Sequence, residues 1–161
     1  MGIKFTILGC GSSLGIPRID GSFGKCNPKN IKNYRTRCSA IITSKENNIL
    51  IDTSPDIKHQ LLKNRVKNVH GVFYTHPHAD QTHGINELRG FYIKNKKKMP
   101  VYGDNPTQKH LFSSFKYCFK DTKSYPATLK FKKLKSIHNF GTGKNKITIK
   151  NITVKHGQIN S

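Results

Sequence analysis

The sequence predicts an α/β fold, a mixed sheet with flanking helices, and three observations lead to it. Short apolar runs bounded by turn residues recur at residues 5–8, 38–43, 49–52 and 69–74 and read as strands. Stretches with apolar residues at helical spacing alternate with them, the first opened by a clear cap signal. Taken in order, the first half of the chain reads β-β-β-α-β-α.

Each element has a local cause. Phe5-Thr6-Ile7-Leu8 runs into Gly9-Cys10-Gly11-Ser12-Ser13-Leu14-Gly15, which superficially looks like a dinucleotide-binding loop. Such a loop should open a helix, but Ile16-Pro17-Arg18 follows, so these glycines serve tight backbone turning instead. Residues 21–30 are loop-like by their Gly, Pro and Asn content. Lys45-Glu46-Asn47-Asn48 has hairpin-turn chemistry, which makes 38–43 and 49–52 an antiparallel pair and leaves Asp52 at a strand end. Thr53-Ser54-Pro55-Asp56 combines a capping hydroxyl, a first-turn proline and an acid, and opens a helix with Ile57, Leu61 and Leu62 on its apolar face. Ile85, Leu88 and Tyr92 stripe the next helix.

Met99-Pro100-Val101-Tyr102-Gly103 reads as a short strand. Asn105-Pro106 then caps and opens a helix whose Leu111, Phe112, Phe115 and Phe119 belong to the core rather than to a base-stacking platform. After a basic linker region, Ile147-Thr148-Ile149 and Ile152-Thr153-Val154 alternate as strands, slipped by one residue near Asn151, and Lys155-His156-Gly157 closes them.

Composition bounds the function classes. The 161 residues suit one domain at most, with 34% hydrophobic and 23% charged residues. No apolar run is long enough to span a bilayer and the N-terminus lacks a secretory signal, so the expected location is the cytoplasm, with no membrane partner. The formal net charge of +21 attracts phosphates, nucleic acid or acidic surfaces without choosing among them, and most lysines read as solvated surface. Cys10, Cys26, Cys38 and Cys118 form no CxxC pair, which argues against a disulfide framework or zinc ribbon.

The chemistry concentrates in Tyr74-Thr75-His76-Pro77-His78-Ala79-Asp80-Gln81-Thr82-His83-Gly84, at the end of an apolar strand. Histidines two apart in an extended segment point the same way, so His76 and His78 can reach one metal ion as neutral imidazoles. Asp80, two residues further on, can reach a neighbouring ion.

HxHxD in this setting resembles the HxHxDH signature of the metallo-β-lactamase superfamily. FTILGCGSSLGIP, NYRTRCSAII, ILIDTSPD, YTHPHADQTHGINELR and VKHG are similar, in order, to landmarks of its PhnP-like and RNase Z-like phosphodiesterases. The resemblance implies an αβ/βα sandwich and one or two metal ions, zinc or in some cases manganese. It implies His76, His78 and His156 as ligands of the first metal and Asp80 as carboxylate of the second, with a catalytic role in orienting the attacking water. It also implies that Asp52 orients the metal loop by hydrogen bonds. Gln81 stands where the family has a second-site histidine, and whether Gln81 or His83 supports a second metal is left open. The family's second half, with its bridging aspartate and further histidines, has no counterpart here, so residues 1–161 are expected to be the N-terminal part of a single incomplete domain.

The implied function is metal-dependent phosphodiester hydrolysis, impaired or inactive in a truncated chain. Substrates would be a small phosphodiester or an RNA 3′ region, and partners a second copy or a complementing C-terminal half. The competing reading is a non-enzymatic basic nucleic-acid-binding protein, or a gene fragment, that retains a partial metal site.

Overall fold

The computed structural model describes residues 2–156 and the backbone of 159–160. Its centre is a six-stranded mixed sheet in the order β1-β2-β3-β4-β5-β6. The strands are β1 (Lys4–Gly9), β2 (Ser39–Thr43), β3 (Asn48–Ile51), β4 (Gly71–Phe73), β5 (Met99–Gly103) and β6 (Leu129–Lys133). The first three pair antiparallel, as the hairpin at 45–48 requires, and β3 through β6 run parallel. Parallel strands need crossovers, and helices supply them: α1 (Ile57–Lys63) between β3 and β4, α2 (Ala79–Thr82) and α3 (Arg89–Asn95) between β4 and β5, and α4 (Asn105–Ser114) and α5 (Lys116–Phe119) before β6.

Side chains alternate across the sheet, so its two faces build two cores. Leu50, Val72 and Val101 are register neighbours, and on their face they meet Ile57 and Leu61 of α1, Leu111 of α4 and Cys118 of α5. On the other face Phe73 stacks on Tyr102 with ring centroids 4.5 Å apart, beside Ile49 and Ile147. Phe140 and Ile149 complete that second core. These belong to an antiparallel hairpin, β7 (Ile137–Phe140) and β8 (Ile147–Lys150), which covers the face opposite the helices. Each side chain taken fully out of water here contributes about 1.5–3 kcal/mol before conformational entropy is subtracted.

The long connection between β1 and β2 is fastened at several points. Gly11 N donates to Thr36 O at 2.7 Å, and a Cβ at Gly11 would lie 2.6 Å from Arg35 O, so close approach of two backbones is what the glycine permits. Arg37 grips Asp56 before α1 through Nε at 2.8 Å and Nη2 at 2.6 Å. Gln60, buried on α1, donates to Thr36 Oγ1 and Arg37 O and accepts from Ser54 Oγ.

Several expectations are corrected. The buried face of α1 is Ile57, Gln60 and Leu61, while Leu62 is 70% exposed. Spacing of three and four selects one helix face, and Leu62 falls off it. The cap of α4 is Asp104, whose Oδ1 accepts from Thr107 N, so Asn105 is already helical and Pro106 lies within the first turn. The region read as a basic linker contains β6, where Leu129 is buried while Lys130, Lys132 and Lys133 are exposed. Lysines on the open side of an edge strand hide its alternation. Ile152-Thr153-Val154 forms no strand, and Ile152 is 74% exposed. β8 pairs instead with β7, a strand that composition had not revealed. The last described segments, β9 (Lys155–His156) and β10 (Ile159–Asn160), form a short antiparallel pair; Gly157, expected to close the strand, lies outside the described residues.

Candidate metal centre

The centre is assembled at the C-terminal end of β4. Tyr74 N donates to Tyr102 O at 2.8 Å and extends the parallel register by one residue beyond Phe73. At the end of β3, Asp52 adopts φ +59, a left-handed conformation that an aspartate tolerates better than most residues. Its carboxylate accepts from Thr75 N and from Thr75 Oγ1, each at 2.8 Å. Thr75 Oγ1 lies 2.9 Å from His76 Nδ1, and His76 Nε2 lies 3.1 Å from His78 Nδ1.

This relay sets a tautomer. With the Asp52 carboxyl ionised, the one proton of the Thr75 hydroxyl goes to it, so Oγ1 accepts from His76 and Nδ1 carries the hydrogen. His76 Nε2 is left with its lone pair facing His78. Burial first, and then the neighbouring imidazoles of His78 and His156, hold His76 below the usual histidine pKa, so it stays neutral and able to ligate.

His78 caps α2 in an extended conformation (φ −66°, ψ 154°), and its carbonyl accepts from Gln81 N, Thr82 N and Thr82 Oγ1. His156 arrives from β9, with its ring centroid 4.9 Å from His76 and 5.4 Å from His78. Each of the three residues offers a ligand atom within 4.8 Å of the other two, and among the described residues this is the one such group. His76 is buried, whereas His78 and His156 are exposed, so the centre opens to solvent on one side.

The donor set fits a divalent cation. Neutral imidazoles are ordinary zinc ligands, and Zn–N bonds of about 2.0–2.1 Å in a tetrahedron place neighbouring ligand atoms roughly 3.3 Å apart. The 3.1 Å between His76 and His78 is already close to that, and contraction of the trio would supply three corners.

The other expected residues lie around the trio. Asp80 is half-buried on the first turn of α2, accepts from Gln81 Nε2 at 3.1 Å, and does not belong to the trio of ligands. Burial raises both the Asp52 carboxyl and the Cys38 thiol above their usual ranges, and the charge of Asp80 adds to each, while on His76 it opposes the lowering by burial and the neighbouring imidazoles. Gln81 is buried, and its Oε1 has no hydrogen-bond partner. His83 turns away from the trio, bonding through Nδ1 to Thr82 Oγ1 with its ring 5.3 Å from Phe115. Thr75 was not singled out in the sequence, although a hydroxyl directly before HxH, with a strand-end aspartate upstream, was the available signal.

The sequence matches the profile of the beta-lactamase superfamily domain over residues 47–160. The chain belongs to this superfamily. A solved diphosphatase of the PhnP family superposes with a TM-score of 0.82 at 26% identity, over 99% of this chain and 60% of that one. The short form of human tRNase Z superposes with a TM-score of 0.54 at 16% identity, over 87% of this chain and 56% of that one, a likeness of fold alone. An octanoyltransferase of Porphyromonas gingivalis (strain ATCC BAA-308 / W83) is 30% identical over 160 residues, 98% of this chain and 32% of that protein. The chain therefore spans about a third of the curated relative and three-fifths of the diphosphatase. The superfamily fold accounts for the mixed sheet and its flanking helices. Among the described residues, no helix is long and apolar enough to cross a membrane.

Proposed function

We propose that residues 1–161 form the first part of a hydrolase domain of this superfamily and hold one metal ion, zinc or alternatively manganese, through His76, His78 and His156. The substrate class is a phosphodiester. The observation that carries this reading is the meeting of His156 with two histidines about eighty positions earlier in the chain. A bound cation supplies Lewis acidity, lowering the pKa of water toward neutrality and drawing charge from a phosphoryl oxygen.

The chain's own residues do the rest. Asp52 and Thr75 fix the His76 ring and its tautomer. Asp80 orients the attacking water and is the carboxylate proposed for a second ion. Surface lysines gather the anionic substrate through the field of the +21 charge. Because the relatives are longer, full turnover is proposed to need a complementing C-terminal half or a second copy of the chain. The curated relative's name points to acyl transfer, but the match takes only 32% of that protein, and a trio of imidazoles favours hydrolysis by water.

The test is metal content and turnover of bis(p-nitrophenyl) phosphate by the purified chain. About one bound zinc and metal-dependent turnover, both lost in His78→Ala, are expected. Turnover unchanged by His78→Ala would overturn the assignment. The binding-protein reading rests on the +21 charge and predicts salt-sensitive RNA binding without turnover.

A further inference from the structure

Away from the imidazole centre, the connection between β1 and β2 builds a cationic cleft that the hydrolytic reading does not use. Two cavities of about 310 and 340 Å³ share Tyr34, Arg35, Thr36, His59 and Lys63 in their walls, and Lys32 lines the first. Tyr34 also lines a third depression, of about 510 Å³. The first two volumes lie near the lower end of the roughly 300–1,000 Å³ typical of ligand sites.

The charge in the cleft is unbalanced. The carboxylate in its walls is Asp56, and Arg37 occupies it with two side-chain hydrogen bonds and a backbone N–H. Among the described residues the ion pairs are Arg37–Asp56 and Lys98–Asp121, which leaves Lys32, Arg35 and Lys63 without a carboxylate. Arg35 is positioned rather than free: its backbone exchanges hydrogen bonds with Ile16 at 2.8 and 3.0 Å, and its Nη1 donates to Cys10 Sγ at 2.8 Å. Its other guanidinium N–H groups meet no protein acceptor among the described residues. Tyr34 is braced edge-on by Phe23 at 4.9 Å between centroids, yet remains 57% exposed.

Unpaired cations in a concave wall bind phosphates, and a braced, exposed aromatic offers a face to a base. We infer that this cleft binds a short stretch of single-stranded nucleic acid, with phosphates against Lys32, Arg35 and Lys63 and a base on Tyr34. Three depressions meeting at one aromatic suit a strand better than a single small anion. The cleft shares no residue with the imidazole trio, although the charge of Asp80 reaches Arg37 in its wall.

The experiment is fluorescence anisotropy of a labelled uridine hexanucleotide with the whole chain, at two salt concentrations. Lys32→Glu combined with Lys63→Glu should weaken binding about tenfold or more and reduce the salt slope by about 0.7 per lysine. Tyr34→Ala should weaken it at least about fivefold, whereas Tyr34→Phe, which keeps the ring, should stay within about twofold. A matched reversal on the sheet edge, Lys130→Glu with Lys132→Glu, should have an effect under about threefold. The inference is overturned if the edge reversal weakens binding as much as the cleft reversal, or if the hexanucleotide does not bind at low salt. It is likewise overturned if uridine monophosphate competes as well as unlabelled hexanucleotide, since the site then holds one nucleotide. Circular dichroism of each variant checks the fold, and the Tyr34→Ala and Tyr34→Phe pair decides the matter if a charge reversal unfolds the chain.

Discussion

Asp52 holds Thr75 by two hydrogen bonds of 2.8 Å, one from the backbone N–H and one from the hydroxyl, and Thr75 in turn stands 2.9 Å from the ring of His76. A carboxylate at the end of one strand thereby sets the ring orientation and tautomer of an imidazole at the end of the next. The relay is confined to short, local bonds, but it acts on the chemistry of the whole trio.

Thr75→Val keeps the shape of the side chain and removes the relay. Zinc affinity, measured by competition with a chromophoric chelator, is expected to fall about 10–100-fold with the fold intact. Thr75→Ser should restore most of it. Equal affinity in Thr75→Val and the parent would show that the hydroxyl does not orient the ligand.

Burial raises the Asp52 carboxyl to about 7, outweighing the Thr75 hydrogen bonds that favour its ionised form. Its unfolded pKa is about 3.9, so between these values the native state holds a proton that the unfolded state has lost. The Asp52 contribution to stability is therefore greatest below about pH 4 and is lost as pH rises to about 7, by at most about 1.4 kcal/mol per pH unit. His76, depressed by burial, acts with the opposite sign: its native form resists protonation, so its contribution falls as pH drops below the ordinary histidine range. Urea unfolding of metal-free protein at pH 5 and pH 8, compared with Asp52→Asn, separates the two. The variant should lose the decline that the parent shows toward high pH, and parallel pH profiles would refute this account.

Gly84 follows α2 where the histidine-bearing loop passes the segment before α1. A Cβ there would lie 2.0 Å from Ser54 O and 2.6 Å from Ile57 Cγ2. The φ of −87° suits any residue, so the constraint is space alone. Gly84→Ala should destabilise the protein by about 1–3 kcal/mol in urea unfolding, because backbone must move to admit the methyl group. An unchanged midpoint would show that the two segments separate freely.

Gln81 carries a buried amide oxygen without a partner, beside an Nε2 that bonds Asp80. Gln81→His exchanges that weak oxygen donor for an imidazole next to the carboxylate. Equilibrium dialysis followed by elemental analysis should show zinc rising from about one toward two equivalents per chain. If stoichiometry stays at one, Asp80 does not support a second ion in this chain.

The sequence by itself determined the order of the first strands and helices, the clustering of His76, His78 and Asp80 in the loop after β4, and the strand-end place of Asp52. All of these depend on near neighbours: alternation of two, spacing of three and four, and cap chemistry act within a few residues. The tertiary structure alone decided what depends on contacts distant in sequence. It paired β8 with β7, left Ile152-Thr153-Val154 outside any strand, and placed the lysine-masked β6 against β5. It seated Gln60 under the β1–β2 connection and brought His156 within ligand distance of His76 and His78. Such meetings are set by which faces must leave water together, and no local pattern in the chain encodes that.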